Sequence, residues 1–126
     1  MSLIQPNALQ TYNFAGWPSD TIVLALISAA YTYSAAHKNL SDIGGIVATS
    51  GNLTSLTNTN GVLDAADVTF LALTGVVVTQ AWIYKNTGVA GTSTLIAFIN
   101  QGIGLPFTPN GTDLYIEFNP AGIASL

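Results

Sequence analysis

The feature that most constrains this chain is its punctuation. From residue 21 onward, short runs rich in Ile, Val, Thr and aromatic residues are broken at close intervals by Gly, Asn and Pro. Runs that short cannot build long helices, and the spacing is that of an all-β protein in which each strand ends in a turn. The segment 21–28 (TIVLALIS) is apolar at every position but its ends, as a strand buried on both faces would be. Residues 43–49, 52–58 and 61–64 read as three weaker strands, with Gly51 and the Asn60-Gly61 pair supplying hairpin turns that need positive φ. Further strands are expected at 68–73, 76–84 and 94–100, and Ser41-Asp42 opens or closes a short helical turn. In the last strand Asp113, Tyr115 and Glu117 fall on one side while Leu114, Ile116 and Phe118 fall on the other. Seven to nine strands without a helix longer than a turn or two predict a single-domain β-sandwich, immunoglobulin-like or jelly-roll-like, or a small barrel.

Residues 1–20 (MSLIQPNALQTYNFAGWPSD) follow neither period, and Pro6, Gly16 and Pro18 interrupt any regular element. They are expected to form an extended N-terminal arm, with the β-sandwich domain spanning 21–126. The arm carries Leu3, Ile4, Leu9, Tyr12, Phe14 and Trp17, too many apolar side chains for a solvated tail. They lie along the domain's own sheet, or part of the arm adds to the sheet edge of a neighbour.

With 126 residues the chain can bury a core without covalent staples, and it contains no Cys, which excludes disulfides, thiolate zinc sites and cysteine nucleophiles. Only two Lys and six acidic residues are present, for a net charge of −4. No basic stripe exists to neutralise phosphates, which argues against nucleic acid and anionic membranes as partners. The longest apolar stretch, 21–31, is shorter than the ~20 residues of a spanning helix. The N-terminus lacks a basic region and Pro6 breaks any apolar one, so no secretory signal is expected. Solubility falls to 38 Ser, Thr, Asn and Gln residues. A surface of that kind suits a protein whose neighbours cover it in an assembly.

Candidate chemistry is sparse. His37 is the only imidazole, and with Ser34 or Ser41 and Asp42 it could head a nucleophilic triad, but no GxSxG elbow accompanies it. One His without Cys does not make a zinc tetrahedron. Asp64 and Asp67, with Asn60 nearby, could bind Ca²⁺, yet their spacing is not that of an EF-hand loop and a polar turn explains them. Asp113 and Glu117 stand about 13 Å apart along an extended strand, beyond the separation of glycosidase carboxylates. Trp17, Trp82, Tyr31, Tyr33, Tyr84 and Tyr115 could form a sugar-stacking platform, although strand aromatics are more commonly core or interface anchors. Asn39, Asn52 and Asn110 begin glycosylation triplets of a kind frequent in any Asn- and Thr-rich chain. Gly102, Gly104 and Gly111 precede no helix and make no phosphate loop. No catalytic residue, metal or cofactor is assigned.

Three segments carry a family resemblance: LDAADVTF at 63–70, YKNTG at 84–88 and GLPFTPNG at 104–111. Over about residues 17–113 the chain resembles small virion structural proteins of tailed bacteriophages, some of them head decoration or cement proteins. The departure is at 115–122 (YIEFNPAG), where relatives tend to end in a Trp-containing strand and a Gly-Asn turn. The resemblance implies a non-enzymatic protein on the capsid exterior that binds the major capsid protein and itself, a trimer on a lattice axis being one form. Contact residues expected on that reading are Leu3, Ile4, Tyr12, Phe14 and Trp17 of the arm, with Trp82 and Tyr84 as anchors. The alternative is a neck, tail or fibre protein, including a receptor- or glycan-binding module.

Overall fold

A computed structural model describes residues 2–100, 102–118 and 122–125. The protein is all-β and antiparallel, with one short helix. The described residues form ten strands: β1 (Ser2–Ile4), β2 (Ile22–Ser28), β3 (Ile46–Thr49), β4 (Thr57–Thr59), β5 (Val62–Asp64), β6 (Val68–Phe70), β7 (Val78–Lys85), β8 (Leu95–Ile99), β9 (Leu114–Ile116) and β10 (Ala124–Ser125). They form a five-stranded sheet in the order β1-β8-β7-β2-β3, a three-stranded sheet β10-β5-β4 and a two-stranded sheet β6-β9.

Period-2 alternation divides the five-stranded sheet between two cores. Ile22, Leu24 and Leu26 of β2, with Ala81 and Ile83 of β7, face one side, where Leu63, Phe70, Leu114, Ile116 and Ile123 from the smaller sheets meet them. Val23, Ala25 and Ile27, with Trp82, Tyr84, Leu95 and Phe98, face the other. All seven residues of β2 are buried, as expected for a strand apolar on both sides. The layers are unequal. The first face packs on two small sheets, whereas the second lies under residues 30–43, an irregular strap that contributes Tyr31, Tyr33, Leu40 and Ile43.

Local rules explain the connections. Asn60 (φ 53°) and Gly61 (φ 85°) are both left-handed, which gives the turn that joins β4 to β5. At the 3-10 turn Leu40–Asp42, the Asp42 carboxylate accepts from the backbone N–H of Lys38 at 2.8 Å and of Asn39 at 3.1 Å. These bonds hold the Asp42 carboxyl below its usual range.

The N-terminal segment differs from expectation. Residues 2–20 lie along the domain's own sheet, one of the two placements expected for them, but they are not extended throughout. β1 pairs antiparallel with β8 as an edge of the main sheet, and Pro6–Thr11 form helix α1. Pro6 occupies the first helical turn, where a missing N–H costs nothing and the fixed φ is favourable; it starts this helix instead of breaking it. Gln5, Ala8 and Trp17 are completely buried. Trp17 also donates through Nε1 to the Asp64 carbonyl oxygen at 3.1 Å, fastening the segment to β5.

Candidate functional site

The residues singled out for partner contact lie mostly inside. Trp17, Trp82 and Tyr84 are buried, which removes them as surface anchors. Ile4, Tyr12 and Phe14 are partly buried against the larger core, with the Tyr12 and Phe14 rings edge to face at 4.9 Å. Burial, then its hydrogen bond to Asp20 at 2.7 Å, pushes the Tyr12 hydroxyl far above its usual pKa. Leu3 belongs to β1 by its backbone, and its side chain lies outside the described residues. The physical reason is one: a short chain with few large side chains spends its aromatic rings on the core.

Of the aromatic platform residues, Tyr31, Tyr33, Trp82 and Tyr84 gather in one interior cluster, Trp17 lies in the other core and Tyr115 is exposed. Tyr33 and Phe98 lie 4.8 Å apart, Trp82 and Phe98 5.1 Å, and Tyr33 and Trp82 stack at 6.0 Å. Gln5 ties the strap over this cluster: its Nε2 donates to the carbonyl oxygens of Ser34 (3.0 Å) and His37 (2.6 Å), and its Oε1 accepts from the Tyr33 hydroxyl (2.9 Å). Nothing in the sequence flags Gln5. Its partners lie about thirty residues away, and only the fold brings them to it.

His37 Nδ1 meets the Tyr31 hydroxyl at 2.6 Å, and Asp42 is occupied by the Lys38 and Asn39 amides. Ser34 Oγ accepts from the Ala36 N–H. His37, Ser34 and Asp42 thus each bond to other groups of the strap. Asp64 Oδ1 accepts from the Ala65 N–H at 2.9 Å, the polar-turn arrangement, and no group of three or more His, Cys, Asp or Glu among the described residues could hold a metal ion.

What the fold leaves outside is more informative. Large apolar side chains are exposed at Leu9, Ile46, Leu71, Val76, Val77, Val89 and Tyr115. Four of these lie in neighbouring segments: the loop 71–77 carries Leu71, Val76 and Val77, and its Gly75 sits against Val47 of the edge strand β3, beside Ile46. Leu71 is 75% exposed. The loop also adjoins the outer face of the β6-β9 sheet. There Val68, Thr69 and Phe70 pair with Ile116, Tyr115 and Leu114, which leaves Thr69 and Tyr115 pointing outward together.

Two carboxylates brace this face. Asp67 Oδ2 accepts from the Tyr115 hydroxyl at 2.8 Å and Asp67 Oδ1 from the Phe118 N–H at 2.8 Å, while Asp113 Oδ1 accepts from the Ala72 N–H at 2.8 Å. The hydrogen bond to Asp67, ahead of desolvation, raises the Tyr115 pKa. These are contacts across 41 to 51 residues that hold the ends of β6 and β9 together.

Compared with known proteins, the chain matches no protein-family model and no curated sequence. No helix among the described residues is long and apolar enough to cross a membrane.

Proposed function

We propose that the chain is a non-enzymatic structural protein of a tailed-bacteriophage virion, a decoration or cement protein that binds the outside of the capsid shell and stabilises contacts between capsomers. The observation that carries this reading is the exposure of large apolar side chains at Ile46 on the edge strand β3 and at Leu71, Val76 and Val77 on the neighbouring loop, in a chain with only two Lys and six acidic residues. Exposed apolar patches and unprotected sheet edges are liabilities for a free-standing protein, and a neighbour in an assembly removes them. The commitment of Asp42, Asp67, Asp113 and His37 to bonds within the fold supports a structural role over a catalytic one. The family resemblance of the segments 63–70, 84–88 and 104–111 points the same way.

On this reading a rigid β-body lies across adjacent capsomers and buries uncharged polar and apolar surface against them. Each contact can be modest, because many copies on a closed lattice act together against the outward pressure of packaged DNA. Self-association about a lattice axis fits the same geometry. The partner is the major capsid protein, met on the shell exterior.

The test is the copy number of the chain in purified particles of its source phage, measured by quantitative mass spectrometry against the major capsid protein. A ratio of one per capsid subunit, or a simple fraction of it, is expected. A handful to a few dozen copies per particle would transfer the chain to the neck, tail or a fibre. Absence from particles would overturn the assignment.

A further inference from the structure

Among the described residues no layer covers the exposed side of the β6-β9 sheet, and its composition states what would cover it. Along β6 and its extension, Asp67, Thr69 and Leu71 are exposed; along β9, Asp113, Tyr115 and Glu117 are exposed. The register, carried one residue beyond the paired ends, sets Asp67 opposite Glu117 and Leu71 opposite Asp113, with Thr69 opposite Tyr115 between them. Like charges directly opposite on a sheet are destabilising, and the pair Asp67/Glu117 has no cation beside it on this face. The two Lys residues are elsewhere: Lys85 lies 3.8 Å from Asp20, and Lys38 adjoins Asp42. With those two carboxylates offset, four remain: Asp64 at the end of β5, and Asp67, Asp113 and Glu117, which all flank the exposed side of β6 and β9.

We infer that this sheet face is a docking surface for a basic patch on another protein, with Tyr115 and Leu71 as its apolar centre and Asp67, Asp113 and Glu117 as its charged rim. Tyr115 is 53% exposed, and its ring is held in place by the bond to Asp67, so little side-chain freedom remains to be lost on binding. Tyrosine is a residue type enriched at interface centres, and carboxylates at the rim steer and select an oppositely charged partner. A Lys- or Arg-bearing surface supplies what the face lacks. An acidic or a purely apolar surface would leave the carboxylates unpaired. The inference rests on the chain being an assembly component, and it names the face and the charge of the partner surface.

The test uses the full chain and two defined probe peptides, acetylated and amidated, one alternating Lys with Val and the other alternating Glu with Val. Amide chemical shifts are followed by NMR during titration at low and at physiological salt. The expected result is saturable binding of the Lys peptide alone, with shifts confined to residues 67–71 and 113–117. Affinity should fall at least fivefold in Y115A, fall at least fivefold in D113N/E117Q, and weaken with salt. Because Tyr115 also bonds to Asp67, L71S provides a second apolar probe at a side chain with little burial to lose. V89S, on the loop 86–93, serves as the control and should bind as the unaltered chain does. Absence of saturable binding overturns the inference, as do shifts centred on Asp20 or Asp42, or binding indifferent to Tyr115 and Leu71. Particle copy number reads the virion assignment separately: a chain absent from particles that still binds through this face defeats that assignment and keeps this one, and the reverse pattern does the opposite.

Discussion

Replacing Gln5 by Ala tests whether the strap 30–43 is held from beneath. The side chain is wholly buried and makes three hydrogen bonds, donating to the Ser34 and His37 carbonyl oxygens and accepting from the Tyr33 hydroxyl. A net contribution of about 1 kcal/mol for each bond, with the partner groups left unsatisfied, gives a loss of about 3 kcal/mol. That is a large share of the roughly 5–15 kcal/mol stability of a domain, and corresponds to a fall of about 12 °C in Tm for a chain of this size. Urea unfolding followed by tryptophan emission is the assay, since Trp17 and Trp82 are both buried and both report exposure. The midpoint should drop while the slope stays constant, because the surface exposed on unfolding barely changes. Amides of the strap, such as Leu40 N–H bonded to the Ser93 carbonyl oxygen, should exchange faster than those of β2. A loss below about 1 kcal/mol would refute the account of the strap. Gln5→Glu sharpens the test. Its carboxylate would face two carbonyl oxygens, which raises the folded-state pKa above the unfolded value of about 4.3. The folded state then binds the extra proton, so this variant is most stable below about pH 4.3 and loses stability as pH rises through and above that value.

Two further outcomes follow from the same coordinates. At Gly104 (φ 104°) an added Cβ would stand 2.9 Å from the Tyr115 carbonyl oxygen, so Gly104→Ala should cost about 1–3 kcal/mol in urea unfolding, whereas Gly51→Ala, with open space around it, should be neutral or mildly stabilising. Asp42, whose folded pKa lies below its unfolded value, stabilises the 3-10 turn at neutral pH, and that contribution is lost as pH falls below about 4 and through the folded pKa; Asp42→Asn should be less stable than the unaltered chain at pH 7, with the difference vanishing in acid melts.

The strands were legible because two local signals coincide in them. Alternation placed Leu114, Ile116 and Phe118 inward, and the Asn60-Gly61 pair demanded a left-handed hairpin turn; both depend on near neighbours alone. Helix α1 was missed on the same ground, since it is only six residues long and its opening Pro6 serves as a helix breaker or a helix starter according to position. The strap was illegible for a different reason. Tyr31 and Tyr33 alternate as strand residues do, yet what shapes the segment is Gln5 and the aromatic rings of β7 and β8, which are tertiary partners with no local signature. The aromatic residues weighed as a stacking platform illustrate the limit of residue type as a guide: Trp82 and Tyr115 both occupy strands, and only the layer above each determines that one is core and the other surface.

That distinction bears on how a chain with six carboxylates and two cations distributes them. Asp42, Asp64, Asp67 and Asp113 each accept a backbone N–H, so their positions are set by the turns and strand ends they brace, and Asp20 accepts from Tyr12 beside Lys85. Glu117 is the exception. It extends the outward row of β9 opposite Asp67, where local sheet energetics favour a cation or a neutral residue. The five acids explained by folding therefore leave the sixth, Glu117, unexplained. An opposite charge arriving with a partner would offset Glu117, and this is why the β6-β9 face, and not the larger apolar cores, carries the specificity proposed for the protein.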